Sequence, residues 1–595
     1  MTLNARAILG LGLLLLSAAT LAPSAAAQST EELLREIEEK RDKVDVQLFK
    51  RLTGAADRES FEAMQRALRS LQGPDQLRYA YEAFESYRGV AGLEQEAVLF
   101  LAEDATSGSA PKRRGAAAGL AKFPGTGAAA QRELLLKSKD EVVRAYVVGP
   151  LLSDLAAEGT LAALELILDN AWFGTSGSRE QIVAALEGFQ GDEPQRAFFE
   201  RLGDKGYPDL MKVAIVRVIG AREAPGVEEA LVAGLKAGGP AVQYACIEAL
   251  DARESDAHAR PLQRLVKSDD PAVRRRAIVS LARMMGTDEG WFRKLGAMAK
   301  DKDAATRQGA VVALAELRTP AALELLHGTL LGDAEHAVRA EALQELANLR
   351  RKDSIAHLIG RVNAETGRLK MDLLAALRLI TGEDQGTSYE RWKRWWDAEG
   401  EAFVVPDYRD AVAAERERRR VQGAGRTTTG FYGLHVVSDR VCFVLDVSGS
   451  MKGGNIEKAK DELAKFVADY PEGDLFNVIF FSTDVYPWQD ELVRMSARTR
   501  DEALKYVARQ QADGWTAVYD ALKLAFEDQR VDTIVLLTDG TPQHGTIDDP
   551  AEIRAEVKRW NSTRHIRIHC VSLGGPQSLL QHLAADSGGD FREVR

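Results

Sequence analysis

Asp446-Val447-Ser448-Gly449-Ser450-Met451 follows directly on the apolar run Val441 to Leu445. A buried strand ending this way presents one carboxylate and two hydroxyls on a tight, glycine-containing turn, where residues at i, i+2 and i+4 can converge on one point. Three small oxygen donors, with no His and no Cys among them, suit a hard divalent cation such as Mg²⁺. Further on, Thr533-Ile534-Val535-Leu536-Leu537-Thr538-Asp539-Gly540 repeats the design, a β-branched strand ending in a carboxylate and a glycine. Between the two, Gly514-Trp515-Thr516 opens the amphipathic segment Ala517 to Phe526 and offers a further hydroxyl.

This pattern resembles the von Willebrand factor A (VWA) domain and its metal-ion-dependent adhesion site, DxSxS…T…D, over roughly residues 430–595, with all five positions filled. The resemblance implies that Ser448, Ser450 and Thr516 supply hydroxyl ligands. It implies that Asp446 and Asp539 act mostly through bound waters, and that a partner's Asp or Glu carboxylate completes the shell. The implied cofactor is Mg²⁺, with Mn²⁺ or Ca²⁺ as substitutes. With only two carboxylates, mostly at second-shell distance, the ion stays electron-poor and open to an external anionic oxygen. Trp515 departs from the small residue that often precedes the site threonine in that family. It reads either as an aromatic rim that narrows ligand choice or as packing against the helix at 516–528.

An Asp at a strand end beside Mg²⁺ also describes aspartyl phosphotransferases with a DxDx[T/V] motif. Those enzymes need a second Asp two positions on as general acid, and here that position is Ser448. No Lys lies in a motif-like position near Asp539, and His544, five residues beyond it, reads as a loop residue. Neither an activated nucleophile nor a glycine-rich phosphate loop is evident. The residues favour a binding module over an enzyme.

Positioning these groups requires a particular scaffold. Strand candidates at 441–447, 475–482, 533–538 and 566–573 alternate with helix candidates at about 455–469, 500–511, 516–528, 549–560 and 577–586. Alternation of this kind predicts a doubly wound, Rossmann-like parallel sheet. Its ligands bind outside the carboxyl ends of the strands at the topological switch point.

From about 110 to 382 the chain repeats itself. Asp270-Pro-Ala-Val-Arg-Arg-Arg-Ala matches Asp303-Ala-Ala-Thr-Arg-Gln-Gly-Ala, and the stretches from Gly239 and Ala334 follow the same template. The anchors Val242, Val273, Thr306 and Val338 lie 31, 33 and 32 residues apart, and weaker anchors near Lys112, Val143, Ser178, Leu210 and Leu369 bring the total to about nine copies. Each copy reads as a turn, an Ala-rich helix and a second helix, which can bury their apolar faces only by stacking. The repeat resembles short HEAT units. The expected architecture is therefore a helical HEAT-like solenoid (110–400) followed by the α/β domain (431–595). A helical segment at 28–109, read as a solvated entry segment or short coiled coil, precedes them, and a charged helix and linker (401–430) joins them. Trp392, Trp395 and Trp396 read as an apolar stripe capping the solenoid end, with an aromatic shelf as the alternative. Because the Gly/Thr-rich linker has little to pack, the solenoid and the α/β domain are expected to fold independently.

The chain has 595 residues, 45% hydrophobic and 28% charged, ordinary for globular material. A formal charge of −11 with no long basic face argues against nucleic acid or an anionic membrane surface as partner. Arg6, the apolar run Ala7 to Leu21 and Ala25-Ala26-Ala27 form a secretory signal pattern over residues 1–27. Export to a periplasmic or extracellular space follows, without membrane insertion after cleavage. Cys246, Cys442 and Cys570 sit in apolar patterns and read as buried hydrophobes rather than a disulfide framework. His258, His327 and His336 read as ordinary surface or packing residues. The function implied is an exported, non-enzymatic scaffold that engages a protein partner through the metal site. The alternative is a structural or assembly role carried by the solenoid, with a vestigial metal site.

Overall fold

Asp270 and Asp303 show how the repeat in the sequence becomes a repeat in space. Each caps a helix, accepting from the backbone N–H of its anchor residue: Val273 to Asp270 at 3.0 Å and Thr306 to Asp303 at 2.9 Å. The residue after the anchor is an arginine in three successive copies, and each guanidinium donates to an acid of the next copy, the first two through two nitrogens and the third through Nε alone. Arg274 reaches Asp303 (2.7 and 3.1 Å), Arg307 reaches Asp333 (2.7 and 2.8 Å) and Arg339 reaches Glu365 (3.1 and 3.2 Å). One acid at Asp303 thus caps its own helix and ties down the preceding repeat.

The computed structural model describes residues 28–169, 179–255, 258–286, 288–423, 430–434 and 436–594. The signal segment, the weak anchor near Ser178 and the linker residues 424–429 lie outside them. Two compact units divide the chain, one up to Asp154 and one from Leu155. In the first, the charge-dense helix Thr30–Lys40 buries Leu33, Leu34 and Ile37 and packs against the helix Arg58–Ser70. It is part of a packed helical unit rather than a solvated entry segment. Phe61, Met64, Leu68 and Leu71, which share a helical spacing, are all buried there.

In the second unit the solenoid helices α1 (Pro271–Met285), α2 (Ala304–Leu317), α3 (His336–Leu349) and α4 (Gly367–Thr381) stack side by side. A second row, including Glu289–Met298 and Lys352–Arg361, backs them. Small residues permit the close approach: a Cβ on Gly309 of α2 would come within 2.9 Å of Ile278 on α1. Trp392 is fully buried and donates to the Gly386 carbonyl at 2.9 Å, while Trp395 and Trp396 both meet Phe403. That aromatic cluster belongs to the last helices, as a capping stripe should.

The C-terminal sheet contains β1 (Arg440–Asp446), β2 (Leu475–Phe481), β3 (Val485–Pro487), β4 (Val493–Arg494), β5 (Thr533–Thr538), β6 (Arg567–Leu573) and β7 (Phe591–Val594). Its order is β3-β2-β1-β5-β6-β7, with β4 also on β2. The strands from β2 to β7 along this order run parallel, and β3 and β4 add antiparallel edges. The sheet is therefore mixed at one side. β3, β4 and β7 escape the sequence pattern because two to four residues cannot establish a period. Helices cover both faces, among them α5 (Asn455–Asp469), α6 (Val518–Glu527) and α7 (Pro550–Arg564). The central strands are buried on both sides, which explains their unbroken apolar runs. All three cysteines are free and buried.

The solenoid and the α/β domain are not independent bodies, contrary to the expectation from the linker. Helix α7 lies on α1, and a charged seam joins the two. Glu341 of α3, 2% exposed, accepts from Arg275 of α1 (2.9 and 3.1 Å) and lies 2.8 Å from His565 Nε2 beyond α7. Arg559 donates to Asp270 at 2.8 Å, Arg567 to Asp372 at 2.7 Å and Thr366 to Asp439 at 3.0 Å, while Gln308 donates to the Thr563 carbonyl at 2.9 Å. Linker composition describes the tether and says nothing of the surfaces it joins. His336 also lies in the seam, 3.7 Å from Asp532, too far for a hydrogen bond. His258 and His327 do read as packing residues, paired with Ser280 (3.3 Å) and Ser354 (2.9 Å).

Two outcomes follow. Burial alone would push the Glu341 carboxyl up, but Arg275 and His565 outweigh it and hold the group at about 2, below the ordinary 4.5. Its contribution is therefore complete above about pH 4.5 and lost as pH falls toward 2. Glu341→Gln should cost about 3 kcal/mol at neutral pH, because it leaves a buried guanidinium uncompensated. Urea titrations should show that deficit shrinking below pH 4.5; a pH-independent deficit would argue against the charge assignment. Second, a protease site inserted within 424–429 should, once cut, leave two fragments that co-elute in low salt and separate in molar salt. Separation in both buffers would mean that the seam does not hold.

Candidate metal centre

β1 and β5 are neighbours at the point where the chain order diverges, β2 lying to one side and β6 and β7 to the other. Their carboxyl ends are thus the switch point. Asp446 closes β1, fully buried, and its Oδ1 accepts from the Ser448 backbone N–H at 2.6 Å. Its Oδ2 accepts from the Thr538 hydroxyl at the end of β5. The Thr538 hydroxyl oxygen in turn accepts from the Gly540 N–H at 3.1 Å, fixing the turn that carries Asp539.

The hydroxyls form a chain. Ser448 Oγ and Ser450 Oγ are 3.0 Å apart, and Ser450 donates to Asp539 Oδ1 at 2.6 Å. Asn455, the first residue of α5, donates to Asp539 Oδ2 at 3.3 Å. Thr516 is buried just before α6, and a Cβ built on Gly540 would sit 3.7 Å from both its hydroxyl and that of Ser450. All five residues singled out in the sequence therefore surround one point. Thr538 and Asn455 are additions. Thr538 lay at the end of a strand pattern and Asn455 at the start of a helix pattern, and neither could be assigned a direction from spacing alone.

The loop carrying Thr516 is held from several sides. Asp513 N–H donates to Val447 O (2.8 Å), Gly449 N–H to Gly514 O (2.9 Å), Ala517 N–H to Ser482 O (3.0 Å) and Gln543 N–H to Thr516 O (3.1 Å). Gly514 adopts φ +82°, and a Cβ there would meet Thr483 Oγ1 at 2.5 Å. Both the backbone and the space demand glycine. Trp515 is 55% exposed, which sets aside the reading of it as packing against α6.

Electrostatically the notch is short of positive charge. Burial pushes the Asp446 carboxyl up to about 6; its hydrogen bonds from Thr538 and Ser448 oppose this and nearby Asp539 adds to it. Lys452, the nearest cation along the turn, pairs instead with Asp513 at 3.1 Å. Among the described residues no group of three or more His, Cys, Asp or Glu is placed to hold a metal. A cation at this point must rely on hydroxyls. The donor set fits a small one: oxygens on adjacent corners of an octahedron with 2.0–2.1 Å bonds are about 2.9 Å apart, close to the 3.0 Å between the two serine hydroxyls.

Comparison with known proteins agrees with the two-part architecture. The von Willebrand factor type A domain family matches residues 439–592, and the HEAT repeats family matches 196–282 and 292–378. Inter-alpha-trypsin inhibitor heavy chain H4 of Homo sapiens is 34% identical over 176 residues, covering 27% of this chain and 19% of that protein. The von Willebrand factor A domain-containing protein 3A of Homo sapiens is 31% identical over 162 residues, covering 26% and 13%. The chain thus spans less than a fifth of either relative's length. A solved von Willebrand factor type A structure from Catenulispora acidiphila aligns at 21% identity and a TM-score of 0.25, covering 27% of this chain and 40% of that one. This chain carries HEAT repeats within 196–378 and a C-terminal von Willebrand factor type A domain at 439–592.

Proposed function

We propose that this protein is a non-enzymatic scaffold that binds a protein partner through a divalent cation, Mg²⁺ or Mn²⁺, held by Ser448, Ser450 and Thr516 and supported by Asp446 and Asp539. The observation that carries the reading is the 3.0 Å hydroxyl pair set between the Asp446 and Asp539 carboxylates. A bound divalent ion would supply one thing, an electron-poor centre that attracts an anionic oxygen. The chain's own residues do the rest. Ser450 links the β1 turn to Asp539, Thr538 orients Asp446, and the pinned 513–517 loop keeps Thr516 in place. The incoming oxygen on this reading belongs to an Asp or Glu of the partner. Export follows from the signal pattern at 1–27, which lies outside the described residues.

The reading in which the solenoid alone binds the partner is weakened by the seam, because part of the stacked row α1 to α4 already faces the protein's own α/β domain. Among the described residues, the hydrogen bonds that the candidate site makes stay within the α/β domain. The seam residues Asp439, Arg440, Asp532 and Arg567 lie at the amino ends of the strands, and the site lies at the carboxyl ends. Strands of six or seven residues at about 3.3 Å per residue separate the two.

Calorimetry on the whole chain should detect Mg²⁺ or Mn²⁺ binding that weakens at least about tenfold in Asp446→Asn, a loss of about 1.4 kcal/mol. Thr516→Ala removes one neutral donor, so metal affinity should fall while the melting temperature stays within about 4 °C. Equal metal binding by wild type and both variants would overturn the site.

A further inference from the structure

Beyond holding an ion, the candidate site has a second feature that neither the metal nor the fold requires. Trp515 stands immediately before Thr516 and is 55% exposed. Large apolar side chains are costly to leave in water, and scattered single ones need no explanation. This one differs because its backbone is fixed. Its own N–H donates to Thr483 Oγ1 at 3.0 Å, and the residues on either side are tied to β1 and to the β2–β3 turn. The left-handed Gly514 sets the direction in which the chain leaves the turn. Tyr486, 41% exposed, lies three residues beyond Thr483 on β3, and its carbonyl accepts from the Tyr506 hydroxyl at 3.1 Å. Two exposed aromatic residues therefore border the turn that Thr483 anchors, Trp515 through its backbone bond and Tyr486 three residues along the chain.

A rigidly mounted, amphipathic aromatic beside a charged recognition point is the anatomy of an interface anchor. Trp and Tyr dominate binding hot spots because they bury much area with little loss of side-chain freedom. Resting on the metal-site reading above, we propose that Trp515 is a second contact point of this face. The partner is a protein segment whose acidic side chain is accompanied by a large apolar residue. The acid meets the ion and the apolar residue covers the indole. Acidic groups in purely polar surroundings satisfy only half of the surface and bind more weakly.

The test uses the full chain in Mg²⁺ and an immobilised array of short peptides. Each peptide has one central Asp or Glu, flanked by Gly or by Leu, Phe or Trp. Wild type should prefer the apolar-flanked acids by at least about tenfold. Trp515→Ala should erase that preference while keeping metal binding by calorimetry and the residual affinity for Gly-flanked acids; Trp515→Phe should retain most of the preference. Equal binding of Gly-flanked and apolar-flanked acids by wild type, or an unchanged preference in Trp515→Ala, overturns the anchor and leaves the metal reading standing. Binding that ignores chelation and Asp446→Asn, or no retention of any acidic peptide in Mg²⁺, overturns both.

Discussion

Glu341 is a carboxylate almost without access to water, and a buried charge persists only if it is paired and hydrogen-bonded. Arg275 meets it from the solenoid and His565 from the α/β domain. This one group therefore needs both halves of the second unit, and satisfying it fixes how α7 lies on the helical stack. The surrounding pairs, Arg559 with Asp270 and Arg567 with Asp372, extend the same logic along the seam. A polar seam of this kind gives orientation more than adhesion, because each ion pair must offset its own desolvation. Its incomplete packing fits that character: a cavity of ≈ 600 Å³ opens beside it, lined by Asp270, Asp303, Glu335, Lys523 and Trp560 among others.

Orientation matters because a parallel strand has two chemically different ends. The amino ends of β1, β5 and β6 carry the residues that dock on the solenoid. The carboxyl ends carry Asp446, Thr538 and Asp539. Holding the sheet by one end leaves the other free of the seam, and the solenoid becomes a mount for the face that carries the candidate site. HEAT repeats and a von Willebrand factor type A domain share one chain, and the seam explains how two such modules are held in one orientation.

Much of the candidate site was legible before any coordinates. Five residues were named from their types and order together with the resemblance to the von Willebrand factor A motif, and they lie around one point in the fold. Thr538 and Asn455 were not, since a hydroxyl at the end of a buried strand and an amide at a helix start do not declare from spacing alone which way they face. The same limit hid β3, β4 and β7, which are too short to show alternation. Trp515 was legible as an oddity, and its two readings could not be separated until its exposure was known. The charge-dense first helix was misread as a solvated segment, because its three buried apolar residues are outnumbered by charges that lie on its other faces.

The sequence by itself determined what depends on neighbours along the chain. This includes the helical repeat with its Asp caps, the buried parallel strands and the order of oxygen donors in the von Willebrand-type motif. Hydrogen-bond capping, side-chain periodicity and burial of an apolar run act over a few residues, so they leave a local trace. Only the tertiary structure decided which charges are solvated and which are paired. Arg275 and Glu341 are 66 residues apart, and Glu341 and His565 are 224 apart; each alone looks like an ordinary surface residue. Charge pairing depends on distance in space and on exclusion of water. Neither is written in the spacing of residues along a chain.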